Sequence, residues 1–223
     1  MIKCCLFDLD GTLLDTLRAI SYYANKALTD NGIEEISIDD SRRFIGNGAE
    51  IFIDRIFKSK GIVNPKLQEK VLCEYKAAYD SEPLYLTEPY AGVPEMVEAL
   101  LAGGIKVCVL SNKPDVAVKG IMERFFPNIC SIRGARTGIP LKPDPTAASE
   151  LISTLGAIPS ETAVIGDSPE DIKTALNLGA ALKIGVSWGF RSREKILEAG
   201  ADAVVDNPAD ILREVFGYDK STD

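Results

Sequence analysis

The run Cys4-Cys5-Leu6-Phe7-Asp8-Leu9-Asp10-Gly11-Thr12-Leu13-Leu14-Asp15-Thr16 decides how the rest of the chain is read. Its apolar start, extended back through Met1-Ile2-Lys3, reads as a strand that stops at an aspartate. A strand without polar alternation fits a sheet covered on both faces. Asp8 and Asp10 are two apart, which puts both side chains on one side of an extended chain. Gly11 breaks any further extension.

Downstream of this strand the texture is helical. Leu17, Ile20, Ala24, Ala27 and Leu28 recur at spacings of mostly three and four, and Gly32 is a plausible stop. A second helical pattern covers about Ala49 to Lys60, with Ile53, Ile56 and Phe57 on one side. A third follows Asn64-Pro65 and runs to about Asp80 through Leu67, Val71, Leu72, Tyr75 and Ala78. No strand pattern falls between residues 17 and 82. From Glu88 onward β runs alternate with helices. Strands are expected over 105–110, 129–132, 162–165, 181–186 and 203–205. Helices are expected over 93–101, 116–126, 146–155, 169–178, 193–199 and 208–215. This alternation predicts an α/β fold, a parallel sheet with helices on both faces. Residues 1–15 and 84–223 form its core, and residues 16–83 are a helical insertion. Pro83, Pro89 and Pro94 mark the return crossing, since three prolines so close disfavour a regular helix.

Composition narrows the function. The 223 residues carry a formal charge of −8 with no basic run, which argues against nucleic acid as a partner. No apolar run reaches the roughly 18 residues of a membrane span, so no membrane partner is expected. The chain enters a strand at once, leaving no room for a signal peptide, and a cytoplasmic protein is expected. Histidine is absent, so acid–base work falls to Asp, Glu, Lys, Tyr or Cys. The five cysteines, Cys4, Cys5, Cys73, Cys108 and Cys130, form no C-x-x-C pair and read as buried, reduced thiols.

In open α/β sheets ligands bind at the carboxyl ends of the strands. Asp8, Asp10 and Thr12 follow the first strand, and Ser111, Asn112 and Lys113 follow the second. Lys142 lies beyond the third, and Asp167, Ser168 and Asp171 follow the fourth. Such a carboxylate cluster calls for a hard cation, and Mg²⁺ suits oxygen ligands. A carboxylate nucleophile can attack phosphorus, with Ser111 and Lys142 compensating charge on the phosphoryl oxygens. The chemistry suggested is metal-assisted phosphoryl transfer.

The D-x-D-G-T stretch resembles the first motif of the haloacid dehalogenase-like hydrolase superfamily. Ser111-Asn112-Lys113, Lys142-Pro143-Asp144-Pro145 and Gly166-Asp167-Ser168-Pro169-Glu170-Asp171 resemble its second, third and fourth, in the family's order. The resemblance implies a Rossmann-like core with a small α-helical cap inserted after the first motif. It implies Asp8 as nucleophile and Asp10 as general acid and base. Asp8, Asp10 through its carbonyl, and Asp167 would hold Mg²⁺, and Asp171 would act on it directly, through water, or by orienting Lys142. Ser111, Asn112 and Lys142 would bind the phosphoryl group. Phe44-Ile45-Gly46-Asn47-Gly48 with Arg55, and Trp188-Gly189-Phe190-Arg191, are similar to phosphoglycolate phosphatase-like members. Gly46, Asn47 and Arg55 would then meet the substrate. The expected partner is a small phosphorylated substrate, and the expected assembly a monomer or homodimer.

Other readings stand beside these. Pyrophosphatases, nucleotidases and sugar-phosphate phosphatases share the motifs. A receiver-type phosphoacceptor also uses Asp, Mg²⁺ and Lys, but without a helical insertion, and a catalytically silent binding protein would keep the fold. A mutase reading lacks its cap histidine, and a dehalogenase reading generally lacks the acid at Asp10. Locally, Asp8 and Asp10 could simply end a strand in a turn. Ser111 could cap the next helix, and Asp171 could complete a capping box with Ser168. Lys113 could lie at the surface or behind the site residues.

Overall fold

The computed structural model describes residues 1–218. The last residues of the expected core segment, 219–223, lie outside the described residues. The chain runs β1 (Cys4–Phe7), β2 (Leu14–Asp15), α1 (Leu17–Thr29), α2 (Ile38–Phe44), α3 (Ala49–Ser59), α4 (Pro65–Ser81) and β3 (Glu88–Pro89). It continues α5 (Val93–Ala102), β4 (Lys106–Pro114), α6 (Asp115–Phe125), β5 (Ser131–Ala135) and α7 (Thr146–Thr154). It closes with β6 (Thr162–Gly166), α8 (Pro169–Leu178), β7 (Leu182–Val186), α9 (Arg193–Glu198), β8 (Ala203–Val205) and α10 (Pro208–Gly217). Two compact units result: Met1–Asp15 with Pro89–Asp223, and Thr16–Glu88.

The larger unit holds a six-stranded sheet in the order β5-β4-β1-β6-β7-β8. Every pairing is parallel. β1 is central, with Phe7 level with Val109 of β4 and Ile165 of β6. Alternate residues of β1 serve opposite faces. Cys5 and Phe7 pack with Val93 and Met96 of α5, Ile121 of α6 and Ile211 of α10. Cys4 and Leu6 pack with Leu151 and Ile152 of α7 and Ala175 of α8. Both faces being covered explains why the strand is apolar at every position. The sheet order reverses at β1: one crossover leads outward through β4 and β5, the other through β6, β7 and β8. Such a switch point leaves a crevice at the carboxyl ends of the central strands.

The helical unit has its own core. Ile20, Tyr23, Ala24, Ala27 and Leu28 of α1, Phe52, Ile53, Ile56 and Phe57 of α3, and Val71, Tyr75 and Tyr79 of α4 are buried. The α4 face is therefore the 71/75/79 ridge, so Tyr79 replaces the expected Ala78. Phe52, Tyr75, Tyr79 and Tyr23 form a ring chain with centroids 5.8, 6.1 and 5.1 Å apart. Pro65 starts α4, and the Asn64 side chain accepts the Leu67 N–H at 3.2 Å. Helix α2 has no counterpart in the sequence expectation. It is short, and only Ser41 of its residues is buried, so it carries no apolar period. Its signal is the cap: Ser37 accepts the Asp40 N–H at 3.0 Å. The cysteine expectation holds for Cys4, Cys5 and Cys108, which are buried and free, but Cys73 and Cys130 are exposed.

Candidate active site

Asp8 is the first residue past β1, and its N–H donates to the Ile165 carbonyl at 2.9 Å. Asp167 is the first residue past β6, and Asp171 lies in the first turn of α8. Ser111, Asn112 and Lys113 sit where β4 loses its regular register with β5, between Leu110 and Pro114. Such irregularities re-aim side chains beside active sites. Lys142 comes from the loop between β5 and α7, where the Lys142–Pro143 peptide is cis.

Lys142 joins the cluster. Its ammonium donates to Asp8 Oδ1 and to Asp171 Oδ1, both at 2.7 Å, with its side chain 7% exposed. Asn112 holds that lysine's backbone. Its Oδ1 accepts the Lys142 N–H at 2.9 Å and its Nδ2 donates to the Lys142 carbonyl at 3.3 Å. Asp171 does two things at once. Its Oδ2 accepts from the Ser168 N–H at 3.1 Å and hydroxyl at 2.6 Å, the capping-box contact, while Oδ1 takes Lys142. Asp171 thus completes the capping box with one oxygen while the other holds Lys142. A β-carbon on Gly166 would lie 2.2 Å from Asp171 Cγ, so glycine lets that carboxylate approach β6.

Asp167 is enclosed by two further glycines. A β-carbon on Gly11 would meet Asp167 Oδ2 at 2.5 Å, and Gly11 has φ +88°. The loop after β7 closes the other side: the Phe190 N–H donates to Asp167 Oδ2 at 2.6 Å, and the Trp188 indole donates to the Thr12 carbonyl at 3.1 Å. In the sequence this Trp-Gly-Phe-Arg stretch is legible only as a family pattern. Its usable signal was a glycine just beyond a strand, which marks a close backbone approach.

Lys113 and Ser111 bear on two further local alternatives. Of the surface and the space behind the site residues, Lys113 occupies the latter: its ammonium lies 3.0 Å from Asp10 Oδ1, the side chains 8% and 15% exposed. Ser111 does not cap α6, whose N-cap is Pro114; its Oγ accepts the Lys113 N–H at 3.2 Å. Gly46, Asn47 and Arg55 belong to the helical unit and form a cluster of their own. Arg55 Nη1 donates to the Phe44 carbonyl at 2.7 Å, and Nη2 to Asn47 Oδ1 at 2.6 Å. Gly46 and Gly48 take φ of +129° and +87°. Arg55 therefore braces the 44–48 loop.

Electrostatics bear on what the cluster can hold. Burial pushes the Asp8 carboxyl well above the usual range, the Asp171 charge adds to this, and Lys142 opposes it. Burial and then the Asp171 charge raise Asp167 to about 7, against the pull of the Phe190 N–H. Burial disfavours the Lys142 ammonium, but Asp171 and Asp8 more than offset it, and its pKa rises. One oxygen each from Asp8, Asp167 and Asp171 lie within 4.8 Å of one another. Three clustered carboxylate oxygens, two of them on carboxyls whose proton affinity burial raises, Asp8 and Asp167, fit a hard divalent cation.

A parallel sheet with aspartates clustered at its switch point fits a phosphoryl-transfer hydrolase. Residues 5–183 match the family model of the haloacid dehalogenase-like hydrolases, and the chain belongs to this family. It is 30% identical to a phosphoglycolate phosphatase of Rhodospirillum rubrum, covering 95% of this chain and 90% of that one. It is 28% identical to a phosphoglycolate phosphatase of Aquifex aeolicus, covering 95% and 96%. Among solved structures it superposes on a provisionally assigned phosphoglycolate phosphatase of Lactobacillus delbrueckii subsp. bulgaricus with a TM-score of 0.89. That pair shares 28% identity over 97% of this chain and 99% of the other. No described helix is long and apolar enough to cross a membrane.

Proposed function

We propose that the chain is a Mg²⁺-dependent phosphoric monoester hydrolase of the phosphoglycolate phosphatase type, working through an aspartyl-phosphate on Asp8. The observation that carries this reading is the Lys142 bridge. It fixes a nucleophile-bearing carboxylate and a cation together at the switch point, within reach of Asp167. The curated relatives named above support the substrate class.

Asp8 attacks phosphorus, forming an Asp8–phosphorus bond as the ester oxygen leaves. Asp10 gives the leaving alkoxide its proton, then takes one from the water that hydrolyses the acyl phosphate. Ser111 and Lys142 bind the phosphoryl oxygens, and Asn112 keeps Lys142 in place. Asp8, Asp167, Asp171 and the Asp10 carbonyl would hold the cation, which when bound supplies neutralising charge for the phosphoryl oxygens and the carboxylates. The helical unit serves as the cap and sets specificity through Gly46, Asn47 and the loop that Arg55 braces.

The test is a panel of phosphate esters that includes phosphoglycolate, pyrophosphate, nucleoside monophosphates and sugar phosphates, assayed with and without Mg²⁺. The reading expects phosphoglycolate to give the highest kcat/KM, and Asp8→Asn to abolish turnover. A preference for pyrophosphate or a nucleotide would move the chain to another branch of the family. Turnover of Asp8→Asn within about tenfold of wild type, a barrier change of only ~1.4 kcal/mol, would remove the covalent mechanism.

A further inference from the structure

The mechanism above uses Lys142 but not Lys113, although both lysines, one buried and one half-buried, pair with aspartates of the D-x-D stretch. A lysine normally runs its stem along the protein and leaves its ammonium in water. Lys113 does not: its side chain is 8% exposed and its ammonium meets Asp10 Oδ1 at 3.0 Å. The irregular register of β4 between Leu110 and Pro114 aims it there. The two lysines divide the carboxylates between them, Lys142 taking Asp8 and Asp171, Lys113 taking Asp10.

We propose that Lys113 is a positioning residue for leaving-group departure: its grip on Oδ1 orients Asp10 and leaves Oδ2 to carry the proton that is transferred. The inference rests on the reading of Asp10 as general acid. An ammonium only donates hydrogen bonds, so it engages a carboxyl oxygen through a lone pair. With Oδ1 engaged in this way, Oδ2 is the oxygen left to face the leaving group. In the step, the ester P–O bond breaks as the Asp8–phosphorus bond forms, and the departing alkoxide takes the Oδ2 proton. Lys113 keeps all its own protons. Without it the carboxyl can rotate and present the wrong oxygen, a loss felt only where the leaving group needs a proton.

The experiment measures single-turnover phosphorylation of the Mg²⁺-loaded enzyme by an alkyl phosphate and by an activated aryl phosphate. Wild type, Lys113→Met, Lys113→Arg, Asp10→Asn and Asp10→Asn/Lys113→Met are compared. General acid catalysis contributes ~10²–10⁴-fold, and misdirecting the acid should cost Lys113→Met ~10–100-fold on the alkyl ester. The aryl rate and both KM values should stay within about threefold, and Lys113→Arg, which keeps a cationic donor, should recover most of the alkyl rate. In the Asp10→Asn background the Lys113 change should add less than about threefold, because the group it positions is gone. Equal slowing of both esters, a KM effect alone, or full additivity with Asp10→Asn would overturn the proposal. So would a folded Lys113→Arg as slow as Lys113→Met. An active Asp8→Asn would instead overturn the phosphatase reading on which the proposal rests, whatever position 113 does.

Discussion

Gly189 packs directly on Asp167: a β-carbon at position 189 would fall 2.3 Å from Asp167 Cβ and 2.5 Å from Asp167 Oδ2. No side chain fits there without moving the carboxylate. Gly189→Ala should therefore displace Asp167, with an overpacking cost of ~1–3 kcal/mol in urea unfolding. The Mg²⁺ concentration for half-maximal activity should rise at least about tenfold. Gly179→Ala is the control: with φ +74° and nothing within 4 Å of its β-carbon, it should cost stability without changing the Mg²⁺ requirement.

Lys142→Met keeps the aliphatic stem and removes the charge that Asp8 and Asp171 share. Leaving buried carboxylates without their partner costs ~3–5 kcal/mol, so the variant should unfold at clearly lower denaturant concentration and lose turnover. A folded Lys142→Met with wild-type stability would mean that the bridge contributes nothing.

Asp167 makes stability depend on pH in a definite direction. Its carboxyl is raised to about 7 in the folded chain from an ordinary 3.8. Between these values the folded state holds a proton that the unfolded state releases, so this group's contribution to stability falls as pH rises from about 4 to about 7. In the metal-free protein, Asp167→Asn should flatten that decline. Added Mg²⁺ competes with the proton, so its effect on Tm should be greater at pH 8 than at pH 5. Equal Mg²⁺ shifts at both pH values would contradict the assignment.

Asn112→Ala should reduce turnover by the same factor for alkyl and aryl phosphates, since Asn112 acts through the Lys142 backbone and not through the leaving group. Losing a hydrogen bond to a buried group costs ~1–3 kcal/mol, or roughly 5- to 150-fold. Kinetics with both esters would show it.

Arg55→Ala removes the brace between Phe44, Asn47 and the loop they flank. For phosphoglycolate KM should rise strongly, about 10-fold or more if a charge-assisted contact of ~1.5–3 kcal/mol is lost. An aryl phosphate with no second anionic group should be spared. Parallel losses for both substrates would make Arg55 a folding residue.

The parts of the molecule legible in the sequence were those set by periodicity or by contiguous motifs. The strands flanking β1 are buried on both faces and read as apolar runs; α8 announced itself through Ser168, Pro169 and Asp171. Edge strand β5 was misplaced by about two residues, because Ser131, Ile132 and Arg133 are only half-buried and carry a weak apolar signal. Helix α2 was missed for want of an apolar stripe. The Lys113–Asp10 pair depends on a register shift between neighbouring strands, which leaves no mark in the local sequence. The same holds for the clamp of Asn112 on Lys142, 30 residues away.

The position of β1 also shapes how the chain comes off the ribosome. The strand is made long before its hydrogen-bonding neighbours, which begin at Lys106 and Thr162. At ~5–20 residues per second, synthesis of the intervening ~100 residues leaves it without an edge partner for ~5–20 s. Meanwhile Thr16–Glu88 emerges with a complete set of apolar partners of its own. An apolar strand bare on both edges is a template for unwanted pairing during that interval. The nascent protein is thus most vulnerable at the strand that leads into Asp8, and a holding chaperone would find its client sequence in Cys4–Phe7.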